Sequence, residues 1–449
     1  MSKIAPISGF PEWTPAQRVV EQNFLDHIRR TFELHGFASL ETRAVEPLDT
    51  LLSKGETSKE VYLLRRLQAE ADEPRGAGDG QLGLHFDLTV PFARYVVENS
   101  GKLNFPFRRY QIQKVWRGER PQEGRYREFF QCDIDIVDRD TLPAHYEAEI
   151  PLVIGDVFAG LPLPKAVIQV NNRKILEGFY RGLGIADPMA AMRIVDKLDK
   201  IGPKGVREEL VKGGVSTEAA EKCLALAEIS AADASFADDV AKLGVSDPLL
   251  DEGLAELVAV VETAGAHAPG LCRAELKIAR GLDYYTGTVY ETQLSGYERF
   301  GSVCSGGRYD NLASSGTERF PGVGISIGLS RLLGLLFKDD ALTASRAVPT
   351  VVLVALSADE DRPAAMRTAT ALRSRGIAVE VSPTAAKFGK QIKYAERRGI
   401  PYVWFAGTGD GDGGDSVKDI RSGDQIPALA TTWQPAAEDL RPIVSGPIG

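Results

Sequence analysis

The stretch from Phe107 to Asp138, FRRYQIQKVWRGERPQEGRYREFFQCDIDIVD, constrains this chain more than any other. Its pattern is two antiparallel strands joined by a long, arginine-rich loop. The returning strand alternates with period 2. Phe129, Gln131, Asp133 and Asp135 share one face, and Phe130, Cys132, Ile134 and Ile136 the other. The apolar set must face a core. The opposite face sets an aromatic ring beside an amide and two carboxylates, where a solvated strand would show Lys, Thr and Glu. This pattern predicts the floor of a polar ligand pocket. The outgoing strand ends in Arg117, and the loop adds Arg120, Arg125 and Arg127, whose guanidinium forks suit phosphate oxygens. A ring for a base, arginines for phosphates and carboxylates for an amine or cation together predict a nucleotide and an amino compound held side by side.

The rest of the chain bounds this reading. A length of 449 residues allows about three domains. The net charge of −9 argues against a protein coated in basic patches, though a local basic surface suffices for nucleic acid. Cys132, Cys223, Cys272 and Cys304 form no CxxC pair, which disfavours structural zinc and a disulfide framework and fits a reducing cytoplasm. The histidines show no HExxH spacing. The N-terminal MSKIAPISGFPEW has no apolar leader core, and no segment has the length of a membrane span, so a cytoplasmic location is expected. There is no GxxxxGK[ST] loop, so phosphates would be held by arginines.

Taken in order, Thr14 to Leu34 predicts a helix capped by Thr14–Pro15 and stopped at Gly36. Phe37 to Val45 predicts a strand closed by Pro47, either a dimer-forming edge or an ordinary packing unit. Leu67 to Gln81 predicts a surface loop. In LGLHFDLTVPFARYV, His85, Asp87 and Thr89 would share a strand face ahead of a helix from about Pro91. Asp87 there either holds an ammonium group or caps the helix. After the hairpin come a helix near Leu142–Phe158 and a strand near Ala166–Val170. Residues 174–270 are alanine-rich and helical, an insertion without evident chemistry. Strand patterns return at Arg273–Leu294, interrupted at Arg280–Gly281, with Tyr284 and Tyr285 on opposite faces. CSGGRYDNL and FPGVGISIGLSRLLGLLF follow, the second a strand and then a helix with Arg331 in its first turn. Glycine runs of this kind usually mark turns or close packing. Beyond a linker at Ala341–Ala347, strands and helices alternate as a small mixed sheet. Its helix near Lys387 carries Lys387, Lys390, Lys393, Arg397 and Arg398, either an RNA-binding face or a solvated one.

VWRGERPQEGRYREFFQCDID, KIARGLDYYTG, CSGGRYD and GVGISIGLSRL, in this order, resemble the motifs of histidyl-tRNA synthetases, class II aminoacyl-tRNA synthetases. The hairpin resembles class motif 2, the Arg331 segment motif 3, and the strand leading to Pro47 motif 1, the dimer-interface element. RGLDYY and SGGRYD are similar to the two histidine-specific motifs. The resemblance implies an α+β fold: a class II antiparallel sheet flanked by helices, a helical insertion and a C-terminal mixed α/β anticodon-binding domain. The implied domains are 1–173 and 271–340 for the catalytic core, 174–270 for the insertion and 348–449 for the anticodon-binding domain.

The resemblance also implies roles. Arg117 and Arg280 would be catalytic, Arg117 binding the α-phosphate of ATP and Arg280 the substrate carboxylate and α-phosphate. Glu119 would lie near the adenine, Phe129 would stack on it, and Arg125 and Arg331 would reach the distal phosphates. Asp87, Thr89 and Gln131 would cradle the histidine amino group, and Asp135 with Tyr285 would read the imidazole, Tyr284 lying beside them. His85 stands where the family often carries an arginine. Implied substrates and partners are histidine, ATP with the Mg²⁺ it carries, tRNA(His) and a second copy in a homodimer, with no membrane. The implied reaction is formation of histidyl-adenylate, then transfer to the terminal adenosine. The alternative is the synthetase-like, histidine-sensing regulatory subunit of ATP phosphoribosyltransferase, which predicts loss of the C-terminal domain and erosion of the arginines.

Overall fold

The computed structural model describes residues 5–52, 60–65, 81–279, 284–315, 317–407 and 414–447. The chain divides into two compact units, one chiefly Leu25–Leu335 and the other chiefly Leu336–Pro447 with Glu12–Phe24. No helix among the described residues is long and apolar enough to cross a membrane.

In the first unit nine strands form one sheet among the described residues. Its centre is antiparallel. The hairpin strands Phe107–Trp116 and Glu128–Val137 pair along their whole length. Glu318–Gly328 lies against the returning strand, then Cys304–Ser315, Thr288–Leu294 and Ala166–Asn172. Parallel pairs occur only toward the margins, where Ala38–Ser39 joins Phe107–Trp116 and Cys272–Glu275 joins Ala166–Asn172. The hairpin's apolar face fills a core as its alternation requires: Cys132, Ile134 and Ile136 are fully buried. On the other face, Phe92 and Val96 of the helix Thr89–Asn99 pack with Tyr309, Ala313 and Phe320.

Several expected boundaries move. The run Phe37–Val45 is not one strand; only Ala38–Ser39 and Val45–Pro47 are extended, in different sheets. The strand before Asp87 ends at Leu84, and the helix begins at Thr89 rather than near Pro91. The helix opened by the Asp247 cap passes through Gly265 to His267, because one glycine costs a long helix only about 1 kcal/mol. The expected loop at Leu67–Gln81 falls almost wholly outside the described residues.

Three consecutive residues at the end of the strand Ala166–Asn172 tie it to its surroundings. Asn171 donates to the carbonyls of Leu276 and Ile278, at 3.2 and 2.8 Å. Asn172 caps the helix Arg173–Gly182 and donates to Glu256 of the helix Pro248–His267 at 2.7 Å. Arg173 donates to the Tyr285 carbonyl at 2.7 Å.

The second unit is a five-stranded mixed sheet with parallel strands at one side and a meander at the other. Strand Val352–Ala355 is buried on both faces, so it shows no alternation. Val352 and Val354 meet the helix Arg362–Arg373, while Leu353 and Ala355 meet the side of Ala395 on the helix Phe388–Arg398. On that last helix Lys387, Lys390, Lys393 and Arg397 are exposed, whereas Arg398 pairs with Glu380 at 2.7 Å. The expected linker contributes Thr343–Ala344, which pairs with Val444–Ser445.

Strand approach in the large sheet depends on Gly306, where a Cβ would stand 2.1 Å from the Gly324 carbonyl oxygen and 2.5 Å from the Ile325 Cα. Those are backbone atoms of a neighbouring strand and cannot swing aside. Gly306→Ala is expected to lower stability by about 1–3 kcal/mol, read as a lower urea midpoint. An unchanged midpoint would show that the strands can separate freely.

Candidate active site

The hairpin register sets the polar face out as a ladder. Phe129 stands opposite Val115, Gln131 opposite Gln113, Asp133 opposite Gln111, and Asp135 opposite Arg109. On the other side Gln131, Asp133 and Asp135 meet Gly328, Ser326 and Gly324. Six residues of extended chain separate the ring from the last carboxylate, about 20 Å, the length of an aminoacyl nucleotide.

At the deep end, Asp135 receives a guanidinium and a phenol. Arg109, fully buried, reaches one carboxylate oxygen at 2.7 Å, and the Tyr309 hydroxyl donates to the other at 2.7 Å. Arg109 also lies over the Phe92 ring, 4.2 Å from its centroid. Neither partner was evident from sequence, although Arg109 continues the same alternating face as Arg117. Among the described residues no cation pairs with Asp133 in the same way. Burial pushes its carboxyl up to about 7, against the opposing pull of Arg109. Gln131 donates through Nε2 to the Ser326 hydroxyl at 2.8 Å.

At the shallow end, Arg117 donates Nε–H to the Phe86 carbonyl at 3.0 Å, and its guanidinium lies 5.3 Å from the Phe129 ring centroid. Glu119 and Arg125 approach to 3.7 Å. Arg331 is anchored to the Phe300 carbonyl. These residues, with Gln131, Ser305 and Ser326, line a cleft of about 230 Å³. The cleft thus gathers Arg117, Glu119, Arg125, Phe129, Gln131 and Arg331 from two separated stretches. Glu60, not singled out from sequence, lies within electrostatic reach of Arg117 and Glu119, and burial raises its carboxyl against the opposing pull of Arg117.

Asp87 and Thr89 do not share a strand face. Asp87 Oδ1 accepts the Val90 N–H at 3.0 Å, so it caps the helix that Thr89 begins. His85 is buried, neutralised by that burial, and donates Nε2–H to the Lys114 carbonyl at 2.7 Å while stacking on Trp116. It joins backbone segments where an arginine would carry charge. Tyr284 and Tyr285 are not on opposite faces either: their hydroxyls lie 3.0 Å apart and their ring centroids 4.2 Å apart. They precede the strand Thr288–Leu294, so strand alternation does not apply to them. Burial, with Tyr284 beside it, holds the Tyr285 phenol well above its usual range, so it is a neutral donor. Gly307 makes room for its ring, since a Cβ there would meet Tyr285 Cδ1 at 2.9 Å. Arg280 lies outside the described residues.

The family model for histidyl-tRNA synthetase matches residues 9–332, and that of an anticodon-binding domain residues 350–429. The chain belongs to the histidyl-tRNA synthetase family. A histidine–tRNA ligase from Cutibacterium acnes is 57% identical over 99% of this chain and 100% of its own. One from Thermobifida fusca is 54% identical over 95% and 97%. The solved histidyl-tRNA synthetase from Nostoc sp. PCC 7120 superposes with a TM-score of 0.84 at 36% identity, covering 96% of this chain and 98% of that one. A Bacillus halodurans protein described as an ATP phosphoribosyltransferase regulatory subunit/histidyl-tRNA synthetase shares the fold, with a TM-score of 0.72 at 19% identity. The regulatory alternative is not favoured, since the high identities run the full length of ligases and include the C-terminal domain.

The raised carboxyl of Asp133 gives the chain a pH signature. Between about pH 4 and pH 7 the folded chain keeps a proton that the unfolded chain has released. Stability from this group is therefore full at the acid end and lost as pH rises to 7. Asp133→Asn removes the loss. Its stability relative to the parent, by chemical denaturation of the ligand-free protein, should rise by on the order of 1–4 kcal/mol from pH 5 to pH 8. A pH-independent difference would mean that Asp133 titrates as an ordinary carboxyl.

Proposed function

We propose that this chain activates histidine with ATP, releasing pyrophosphate, and then transfers it to the 3′-terminal adenosine of tRNA(His). The observation that carries the reading is the single polar face running from Phe129 to Asp135, flanked by arginines at its shallow end and by a buried Arg109–Asp135 pair at its deep end.

In this reading Phe129 stacks on adenine with Glu119 nearby, Arg117 holds the α-phosphate, and Arg125 and Arg331 hold the distal phosphates. Arg280 bridges the histidine carboxylate and the α-phosphate. Asp87, Thr89 and Gln131 surround the amino group. Asp135 accepts from one imidazole nitrogen, and Tyr285, a neutral phenol, donates to the other with Tyr284 against it. The histidine carboxylate is already a nucleophile, so no general base is required. The protein must align two anions and stabilise the charge that develops on phosphorus, which arginines on its flanks accomplish. An amino acid without imidazole would leave the buried Asp135 and Tyr285 unpaired, and that cost gives rejection. Mg²⁺ arrives with the ATP phosphates as part of the substrate.

The C-terminal unit is assigned to the tRNA anticodon, in keeping with its family match and with the exposed Lys387, Lys390, Lys393 and Arg397. The catalytic core is assigned to residues 1–173 and 271–340, the insertion to 174–270 and the anticodon unit to 348–449. The exposed edge strand Ala38–Ser39 is assigned to a homodimer interface. Buried free thiols at Cys132, Cys223, Cys272 and Cys304 accord with the cytoplasm.

Histidine-dependent ATP–pyrophosphate exchange tests the reading. Arg117→Ala and Arg331→Ala should each lower exchange about 10²–10³-fold. Arg280→Ala should abolish exchange and leave histidine binding measurable. Histidine binding without exchange in the parent protein would point instead to a sensor.

A further inference from the structure

Tyr285, Thr286 and Gly287 stand just ahead of the sheet's ladder, since pairing begins at Thr288 opposite Asn172 and at Val289 opposite Gly307. Other contacts set their conformation. The Thr286 N–H donates to the Arg308 carbonyl at 2.8 Å, and the Thr286 hydroxyl to Asp310 Oδ2 at 2.5 Å. The Thr288 N–H donates to Glu147 Oε2 at 3.1 Å. The Arg173 N–H meets the Gly287 carbonyl at 2.9 Å.

Arg308 joins these contacts into one unit. Its Nε donates to Asp310 Oδ1 at 3.0 Å, and its Nη1 to Glu147 Oε1 at 2.7 Å and to the Leu142 carbonyl at 3.1 Å. Each carboxylate therefore gives one oxygen to the guanidinium and the other to the segment Thr286–Thr288. Gly287 fits against the pair, for a Cβ there would stand 2.9 Å from Arg308 Cδ and 3.3 Å from Glu147 Oε2. Strand alternation separates two tasks within SGGRYD. Tyr309 reaches Asp135 in the pocket, while Arg308, its neighbour, reaches the helix His145–Ala159 behind the sheet. Glu147 is buried, and a buried ion pair of this kind adds little net stability, so its contribution is geometric.

We propose that Arg308 is a positioning residue for recognition of the substrate side chain: by holding Glu147 and Asp310 it fixes the segment Thr286–Thr288 and, through it, the place of the Tyr285 phenol. This rests on the reading in which Tyr285 donates to the substrate imidazole. The Tyr285 ring lies against Gly307, so one strand carries both the wall that the ring touches and the clamp behind it. Lysine at 308 would keep a charge beside Glu147 but has no planar fork to engage both carboxylates.

A double-mutant cycle on the full-length protein tests this, with dissociation constants for L-histidine and for ATP measured by calorimetry. Tyr285→Phe and Arg308→Lys should each weaken histidine about 10-fold, and Thr286→Val and Asp310→Asn about 3–10-fold. Thr286→Ser, which keeps the hydroxyl, should restore the parent value. ATP affinity should stay within about twofold throughout. In the Tyr285→Phe background the other three changes should cost histidine less than about twofold, because the phenol they position is already gone. Full weakening in that background, equal weakening of ATP, or no weakening at all would overturn the proposal. If Arg308→Lys fails to fold, Thr286→Val and the part-exposed Asp310→Asn carry the test. Parent affinity in Tyr285→Phe would instead remove the imidazole assignment on which the proposal rests. Coupling as expected, in a parent protein without histidine-dependent exchange, would sink the ligase reading and keep the positioning role.

Discussion

The buried pair between Arg109 and Asp135 is the interaction on which the pocket depends. Asp87, Asp133 and Asp135 lie within electrostatic reach of one another, and such a set would repel itself and resist desolvation if nothing positive were folded in with it. Arg109 supplies that charge from beneath, through a side chain with no solvent exposure. The pair is a poor source of net stability, since taking both ions out of water costs about what their attraction returns. Its value is geometric. With the guanidinium on one oxygen and the Tyr309 phenol on the other, the carboxylate has one orientation, and an imidazole that meets it finds an acceptor already aimed.

The sheet gives this arrangement room. Polar side chains on the returning strand alternate with bulky ones behind it, and the neighbouring strand Glu318–Gly328 answers with glycine or serine. Gly324 lies beside Asp135, where a Cβ would stand 2.1 Å from the carboxylate oxygen, and Gly322 accepts the ring of Tyr309. The glycines in the GVG and SGG runs are thus packing residues that serve the site. The dull reading of glycine runs and the functional one coincide here, because the ligand pocket is itself the thing being packed against.

What could be foreseen from the chain follows from the range of the interactions involved. The hairpin was legible because period-2 alternation is local and each side chain declares its face. Arg117, Phe129, Gln131 and Asp135 were named on that basis before any register was known. Arg109, Tyr309 and Ser326 were not, because their roles exist only across strand pairs whose partners lie far apart in sequence. Alternation failed where the backbone leaves the strand. His85, Asp87 and Thr89 straddle a strand end, a cap and a helix start, and the two tyrosines precede the strand to which they were assigned. Asp87 accepts the Val90 N–H at the start of the helix, one of the two roles its position allows.

Asn171, Asn172 and Arg173 carry a consequence for how the enzyme works as a whole. Three consecutive side chains hold the backbone before the Arg280 motif, a helix of the insertion and the carbonyl of Tyr285. The helix and the Tyr285 backbone thus share one anchor at the end of the strand. By thermodynamic reciprocity, any change that a macromolecule on the insertion made in affinity for an amino acid would be matched by an equal factor in the reverse sense. The two halves of the reaction, charging and transfer, would be joined through a single tripeptide at the end of a strand.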